Sequence, residues 1–173
     1  KGGLLYKLLL WLEKQSFKTA DVVMSTNESY KRAAIERGGK NPWDVYVLRT
    51  GPDLQRLKMK QPEPALKMGK KYMVCYLGEM CPQDGVDVLL DSIRYYVDGL
   101  GRKDTQFVLV GGGPAMPEMQ QLAYSMKLYD HVHFTGRVSD EDLCRYLSSA
   151  DVCVDPDPYS EWADHSTMNK VLE

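Results

Sequence analysis

No stretch of this chain is apolar for long enough to cross a bilayer, which takes about 20 residues. The longest apolar run, "LLYKLLLWL" at residues 4–12, is interrupted by Lys7 and carries no small-residue cleavage site. It reads neither as a transmembrane helix nor as a signal peptide. An excess of one charge sign is missing too: 22 Lys and Arg stand against 24 Asp and Glu, for a formal net charge of -2. Charges of both signs are scattered along the chain, so there is no basic footprint for nucleic acid. Only four cysteines occur, at 75, 81, 144 and 153, with neither C-x-x-C spacing nor histidines arranged as zinc co-ligands. A chain of 173 residues is large enough not to need disulfides, and reduced thiols in a cytoplasm are the expectation. The chain begins at Lys rather than Met, as a fragment would.

What is present is a 43% hydrophobic content, sufficient for a real core in one domain or in parts of two. Leu4, Leu5, Leu8, Leu9 and Leu12 recur at helical spacing, with Lys1, Lys7, Lys14 and Lys18 around them. A leucine stripe of this kind reads first as core and second as a membrane-surface face. "ADVVMST" then reads as a strand, "NESYKRAAIERGG" as a helix capped by Asn27 and stopped at Gly38, and "VYVLRT" as a second strand. Between Gly51 and Lys71 the composition turns to proline and basic residues with little periodicity, the signature of a linker.

Alternation resumes with "YMVCYL", "QFVLV", "HVHF" and "DVCVD" as strands. "GVDVLLDSIRYYV", "PEMQQLAYSMKL" and "SDEDLCRYLSSA" lie between them as helices, and a further helix is expected to begin near Ser166. Continuous apolar strands separated by amphipathic helices imply a parallel sheet covered on both faces, a Rossmann-like doubly wound α/β fold. The expected boundaries are 1–50 for the end of one domain, 51–70 for the linker and 71–173 for a second domain.

In such sheets ligands sit beyond the carboxyl ends of the strands. Gly111, Gly112 and Gly113 follow one strand and precede a helix, where glycine permits close approach to a phosphate or serves a tight turn; the two readings carry equal weight. A third glycine at G-x-G-x-x-G spacing is absent, as is G-K-[ST], so a P-loop is excluded. The last loop carries Asp155, Asp157, Glu161, Asp164 and His165. Backbone amides of Ser166, Thr167 and Met168 at a helix start would suit an anion, with Lys170 and Glu173 further along. A carboxylate so placed suits ribose hydroxyls, although on these residues alone an ordinary surface glutamate is the stronger reading. Asp155-Pro156-Asp157 imitates a metal motif, but its proline-flanked setting argues against one. His131 and His133 lack a third ligand and read as core or solvated histidines. Trp162 reads as a stacking or packing residue, and Arg137 as a pocket or surface arginine.

The segments "YLGEMCPQDGVDVLLDSI", "FVLVGGGPAMPEM", "VHFTGRVSDEDLCRYLSSADVCVDP" and "STMNKVLE", in that order, resemble the carboxy-terminal donor domain of the family 4 glycosyltransferases, retaining enzymes of GT-B fold. "ADVVMSTNESYKRAAIERGG" and "VYVLRTGPD" resemble the end of that family's amino-terminal domain. The resemblance implies a chain truncated inside its last helix, with the donor nucleotide-sugar held by Gly78, Gly111, Gly112, Gly113, Gly136, Arg137, Ser166, Thr167, Met168, Lys170 and Glu173. Glu173 matches the second Glu of the family's Glu-x7-Glu motif, implied to bind ribose. The first Glu position holds His165, flanked by Asp164, so any catalytic contact with the transferred sugar falls to these two. The family's diphosphate-gripping Arg and Lys are replaced by Glu79 and Asp84. The reaction implied is metal-independent hexosyl transfer with retention, needing no cofactor beyond the nucleotide-sugar co-substrate. The acceptor implied is a saccharide or lipid-linked saccharide, at the cytoplasmic face of a membrane, in polysaccharide or glycoconjugate synthesis. A nicotinamide-dependent oxidoreductase is the rival, weakened because Thr135, not an acidic residue, ends the strand after the glycine loop. A nucleotide-binding relative without transfer is the other.

Overall fold

A computed structural model describes residues 2–166, 168 and 170. The chain forms two compact units, Lys1–Gly51 with Ser160–Asn169 and Pro52–Tyr159 with Lys170–Glu173.

In the first unit, α1 (Leu4–Thr19) leads to β1 (Val23–Ser25), α2 (Glu28–Glu36) and β2 (Val45–Val47). β1 and β2 pair in parallel, Val23 opposite Val45. Asn27 caps α2 as its sequence position suggests, its Oδ1 accepting the Tyr30 N–H at 2.9 Å. The helix stops where Gly38 donates its N–H back to the Ala33 carbonyl, and Gly39 takes the left-handed φ of 72° that releases the chain. Phe17 lies against Gly38, where an added Cβ would collide with its ring, and Arg37 pairs with Glu13 at 2.6 Å. These contacts fix which side of α1 faces the unit. None of its residues is fully buried, and Leu4, Leu5, Leu8, Leu9 and Leu12 are all exposed.

The second unit opens with the stretch expected to be a linker. Its backbone is laid along α5 (Asp140–Ser149): the N–H groups of Lys60 and Glu63 each donate at 2.8 Å, to Ser148 Oγ and Ser149 Oγ. Arg145 grips Glu63 with two hydrogen bonds of 2.7 Å, which hold the Glu63 carboxyl below its usual range. Three prolines and little apolar periodicity do not encode a free tether here, because polar side chains of α5 satisfy the backbone.

Four parallel strands, β3 (Tyr72–Leu77), β4 (Thr105–Val110), β5 (Val132–Gly136) and β6 (Val152–Val154), stand in the order β5-β4-β3-β6. Every residue of β4 is buried, as expected of a strand covered on both faces. One face packs Tyr76, Leu109 and Leu128 against Leu90 and Ile93 of α3 (Val86–Arg94) and Met119 and Ala123 of α4 (Met116–Ser125). The other packs Met73, Cys75, Val108 and Val110 against Leu143 of α5. Each buried Leu, Ile, Val or Met among them contributes about 1.5–3 kcal/mol by leaving water. All four cysteines are free thiols, and Cys75 and Cys153 occupy partnered positions on β3 and β6.

The order of strands reverses once. The chain steps outward from β3 through β4 to β5, then returns to place β6 on the other side of β3. Such a reversal opens a crevice at the carboxyl ends of the two strands that flank it.

Helix α6 (Glu161–His165), within the stretch expected to be a loop, clusters with the first unit. Ser160 caps it by accepting the Ala163 N–H at 3.0 Å, whereas Ser166 is extended (φ -87°, ψ 153°) and ends it. This short helix ends at Ser166; the further helix expected to begin near Ser166 falls on residues 167–173, most of which lie outside the described residues.

Candidate functional site

Three loops meet at the carboxyl edge of the second unit's sheet, laced by their backbones. Gly78 N–H donates to Val110 O at 3.1 Å, Met80 N–H to Gly112 O at 2.8 Å, Ala115 N–H to Met80 O at 2.9 Å and Gly111 N–H to Gly136 O at 3.0 Å. The close approach of these backbones accounts for two of the three consecutive glycines. Gly111 has φ 126° and a Cβ there would strike the Gly78 carbonyl; Gly113 has φ 153° and a Cβ would lie 2.6 Å from Met80 N. Both positions answer to backbone packing. Gly112 differs, since a Cβ there would meet only Arg137, with Cγ at 3.4 Å. Gly136, at φ 69°, turns the chain out of β5 toward Arg137.

The loops enclose a cleft of about 340 Å³ lined by Leu77, Gly78, Glu79, Val110, Gly111, Gly112, Arg137, Val138, Leu143 and Lys170. Its cations are already engaged. Lys170 Nζ lies 2.8 Å from Asp155 Oδ1 and 2.9 Å from Asp157 Oδ1, and 5.3 Å from the centroid of the Tyr76 ring. Burial alone would lower the Lys170 ammonium, but the hydrogen bonds to Asp155 and Asp157 outweigh it and hold the group above its usual value. Tyr76 is 1% exposed and its hydroxyl donates to the Glu79 carbonyl at 2.9 Å. Burial pushes its phenol up to about 12, against the opposing pull of Lys170. Across the cleft mouth Arg137 Nη2 sits 3.5 Å from Glu79 Oε1, with both side chains largely in water.

The two charge-reversed positions thus have separate roles. Asp84 Oδ2 accepts the Cys81 N–H at 2.8 Å and closes the turn that delivers Gly85 (φ 66°) to the start of α3. Glu79 is the one that reaches a cation. Gly85 also lies against the Pro156 carbonyl, with no room for a Cβ, which ties the loop after β3 to the loop after β6. Asp155 and Asp157 hold Lys170, and no group of three His, Cys, Asp or Glu suited to a metal occurs among the described residues. His131 is a core histidine, 7% exposed, whose carbonyl accepts from Phe107 N and Gln106 Nε2.

The remaining expected residues cluster with the first unit or lie outside the described residues. The Ser166 N–H donates to Ala163 O at 3.1 Å, so it is not an amide left open for an anion. His165 and Asp164 are exposed in the first unit; the His165 carbonyl accepts from Asn27 Nδ2 at 2.9 Å and the Asp164 N–H donates to Ser160 O. Met168 also clusters with that unit. Thr167, Glu173 and the side chain of Trp162 lie outside the described residues. Sequence reasoning missed Tyr76, whose signal was a tyrosine inside an otherwise apolar strand, and missed Asp155 and Asp157 as the partners of Lys170.

A family model described as "Glycosyl transferases group 1" matches residues 71–173. A GDP-mannose-dependent alpha-(1-6)-phosphatidylinositol monomannoside mannosyltransferase of Mycobacterium tuberculosis is 31% identical over 145 residues, which span 78% of this chain and 36% of that protein. Among solved structures, Anabaena Alr3699/HepE in complex with UDP and glucose superposes with a TM-score of 0.66 at 17% identity, covering 90% of this chain and 44% of that one. A sucrose-phosphate synthase from Thermosynechococcus elongatus gives 0.67 at 21% identity, over 92% and 41%. These structural likenesses establish the GT-B type of fold. The chain spans about a third of the length of the mycobacterial relative.

Proposed function

Because the chain belongs to the glycosyl transferases group 1 family, we propose that the protein carrying it moves a hexosyl unit from a nucleotide-sugar to a saccharide or lipid-linked acceptor. Transfer would retain anomeric configuration and require no metal. The observation that carries this reading is the cleft at the carboxyl edge of the sheet, where the loops after β3, β4 and β5 meet and Gly112, Arg137 and Lys170 line a space beyond the strand ends. A mannosyltransferase relative that uses GDP-mannose and a structural neighbour solved with UDP support a nucleoside diphosphate as the occupant.

In this reading the second unit presents the donor and residues beyond this chain complete the acceptor side. As the bond to the transferred sugar breaks, negative charge grows on the leaving diphosphate. Positive groups held in advance at that place lower the barrier because they need no reorganisation during the step. Arg137 at the cleft mouth and Lys170 at its wall are cations so placed, Lys170 sharing its charge with Asp155 and Asp157. Glu173 would take the ribose hydroxyls, and His165 with Asp164 the transferred sugar. On the acceptor side, the exposed leucines of α1 with Lys7, Lys14 and Lys18 support peripheral contact with an anionic membrane face, consistent with a lipid-linked acceptor. No helix among the described residues is long and apolar enough to cross a membrane. The prior pairing of both cleft cations is the observation that favours the second reading, a relative that binds nucleotide without transferring sugar.

The test is a calorimetric titration of the full-length protein, wild type and Glu173→Ala, with UDP, GDP, ADP, dTDP and NAD. One nucleoside diphosphate is expected to bind at micromolar strength, and Glu173→Ala to lose about 1–3 kcal/mol, the value of a severed buried hydrogen bond. Binding of NAD alone, or of none of the five, would overturn the reading. Turnover of the matching nucleotide-sugar separates transfer from binding.

A further inference from the structure

We infer that Glu79 sets the affinity for the donor by competing with its diphosphate for Arg137, an inference that rests on the nucleotide-sugar reading of the cleft. The geometry confines both partners. On one side of the mouth the Glu79 carbonyl is pinned by the buried Tyr76 hydroxyl at 2.9 Å, and the next residue, Met80, is tied by its N–H to Gly112 O at 2.8 Å. Glu79 therefore presents its carboxylate from a fixed backbone. On the other side, Arg137 follows the turn at Gly136, and its Cγ lies 3.4 Å from where a Cβ on Gly112 would stand. Its guanidinium meets Glu79 Oε1 at 3.5 Å, above the floor that the glycine loop makes.

The arrangement makes Arg137 an exchangeable cation. Lys170 is committed to Asp155 and Asp157 and is only 16% exposed, whereas Arg137 is 82% exposed and has one longer contact. An exposed ion pair of this length is weak. A diphosphate offers the same guanidinium shorter, charge-assisted and bidentate hydrogen bonds. Binding thus consists of an exchange in which phosphate oxygens replace the carboxylate and Glu79 turns out to water, where its exposure already places it. No covalent step is involved. Glu79 is a positioning residue acting through Arg137, and its removal changes how tightly donor binds without changing what happens to bound donor.

The experiment uses the full-length protein in four forms: wild type, Glu79→Gln, Arg137→Ala and the double variant. UDP and GDP serve as probes in calorimetry, and the nucleotide-sugar matching the tighter one serves in steady-state kinetics. Glu79→Gln is expected to tighten diphosphate binding about two- to fivefold, and to lower KM for the nucleotide-sugar by a similar factor while kcat moves less than about twofold. Arg137→Ala is expected to weaken binding, and adding Glu79→Gln to it to recover less than about twofold. Equal melting temperatures for wild type and Glu79→Gln would exclude a packing effect. Should Glu79→Gln leave binding unchanged or weaken it while wild type binds, the competition is refuted and the proposed function stands. An undiminished gain in the Arg137→Ala background also refutes it, since Glu79 would then act on the ligand directly. Failure of wild type and Glu79→Gln alike to bind either diphosphate would overturn the nucleotide-sugar reading and this inference together.

Discussion

Gly111→Ala is expected to destabilise the protein by about 3 kcal/mol or more, and Gly112→Ala, one residue on, by less than about 0.5 kcal/mol. The contrast follows from what each Cβ would meet. At position 111 the backbone sits at φ 126°, where an L-residue is strained by about 1–3 kcal/mol, and the new methyl would also run into the Gly78 carbonyl. That carbonyl belongs to a loop whose N–H is bonded to Val110 O, so it cannot retreat without unpicking the lacing between β3 and β4. At position 112 the methyl would face the Arg137 stem at 3.4 Å, a side chain able to turn away. Chemical denaturation of the three proteins measures the difference. The melting temperature of Gly111→Ala is expected to fall by about 12 °C or more, at roughly 4 °C per kcal/mol for a domain of this size. Equal losses at 111 and 112 would mean that the loop does not divide its glycines between packing and cleft.

Lys170→Met is expected to cost about 2 kcal/mol of stability and to abolish detectable sugar transfer. Removing one partner of a buried ion pair leaves its counter-charges without compensation, a loss of about 3–5 kcal/mol in deep cores. The Lys170 side chain is 16% exposed and sits at a cleft wall, so water would offset part of it. Asp157 Oδ2 is already buried with no hydrogen-bond partner, and loss of the ammonium would leave Asp155 and Asp157 facing each other. The alkaline limb supplies a second check. The folded-state value of Lys170 lies above the ordinary 10.5, so its contribution is fully present below that value and fades as pH rises through the higher, folded one. The stability gap between wild type and Lys170→Met should accordingly stay constant from about pH 7 to pH 10 and narrow above that. A gap that instead opened on the alkaline side would show that Lys170 is not held as a cation.

Much of the second unit was legible because each strand is bounded by a change of period. "YMVCYL" coincides with β3 residue for residue, and the capping of α2 by Asn27 could be read from its position alone. Residues that act through distant partners were not legible. Nothing local to "KQPEPALK" indicates that Arg145 and Ser149, some eighty residues on, would satisfy its backbone and charges, so a packed segment reads as a tether. The last loop was legible only in part. Ser160 caps a five-residue helix, Glu161–His165, too short for a sequence period to register, while the helix expected to begin near Ser166 falls mostly outside the described residues. At the site, glycine in "GGGP" signals special backbone, but whether a neighbouring strand or a ligand demands it depends on where Gly78 and Met80 fall in space.

The return of the chain to β6 has a consequence for motion. Val74 pairs on one side with Phe107, roughly thirty residues on, and on the other with Val152, roughly eighty residues on, through three residues only. The central pair closes a short loop over a fully buried strand, whereas β6 closes a long one over a brief seam. Folding would thus zip β3 to β4 early and dock β6 late, and fluctuations in the finished protein would release β6 first. Asp155 and Asp157 lie immediately beyond that seam, so the grip on Lys170 loosens whenever it parts. Amides of β6 are accordingly expected to exchange with solvent faster than those of β4, and the cleft wall to open without the core.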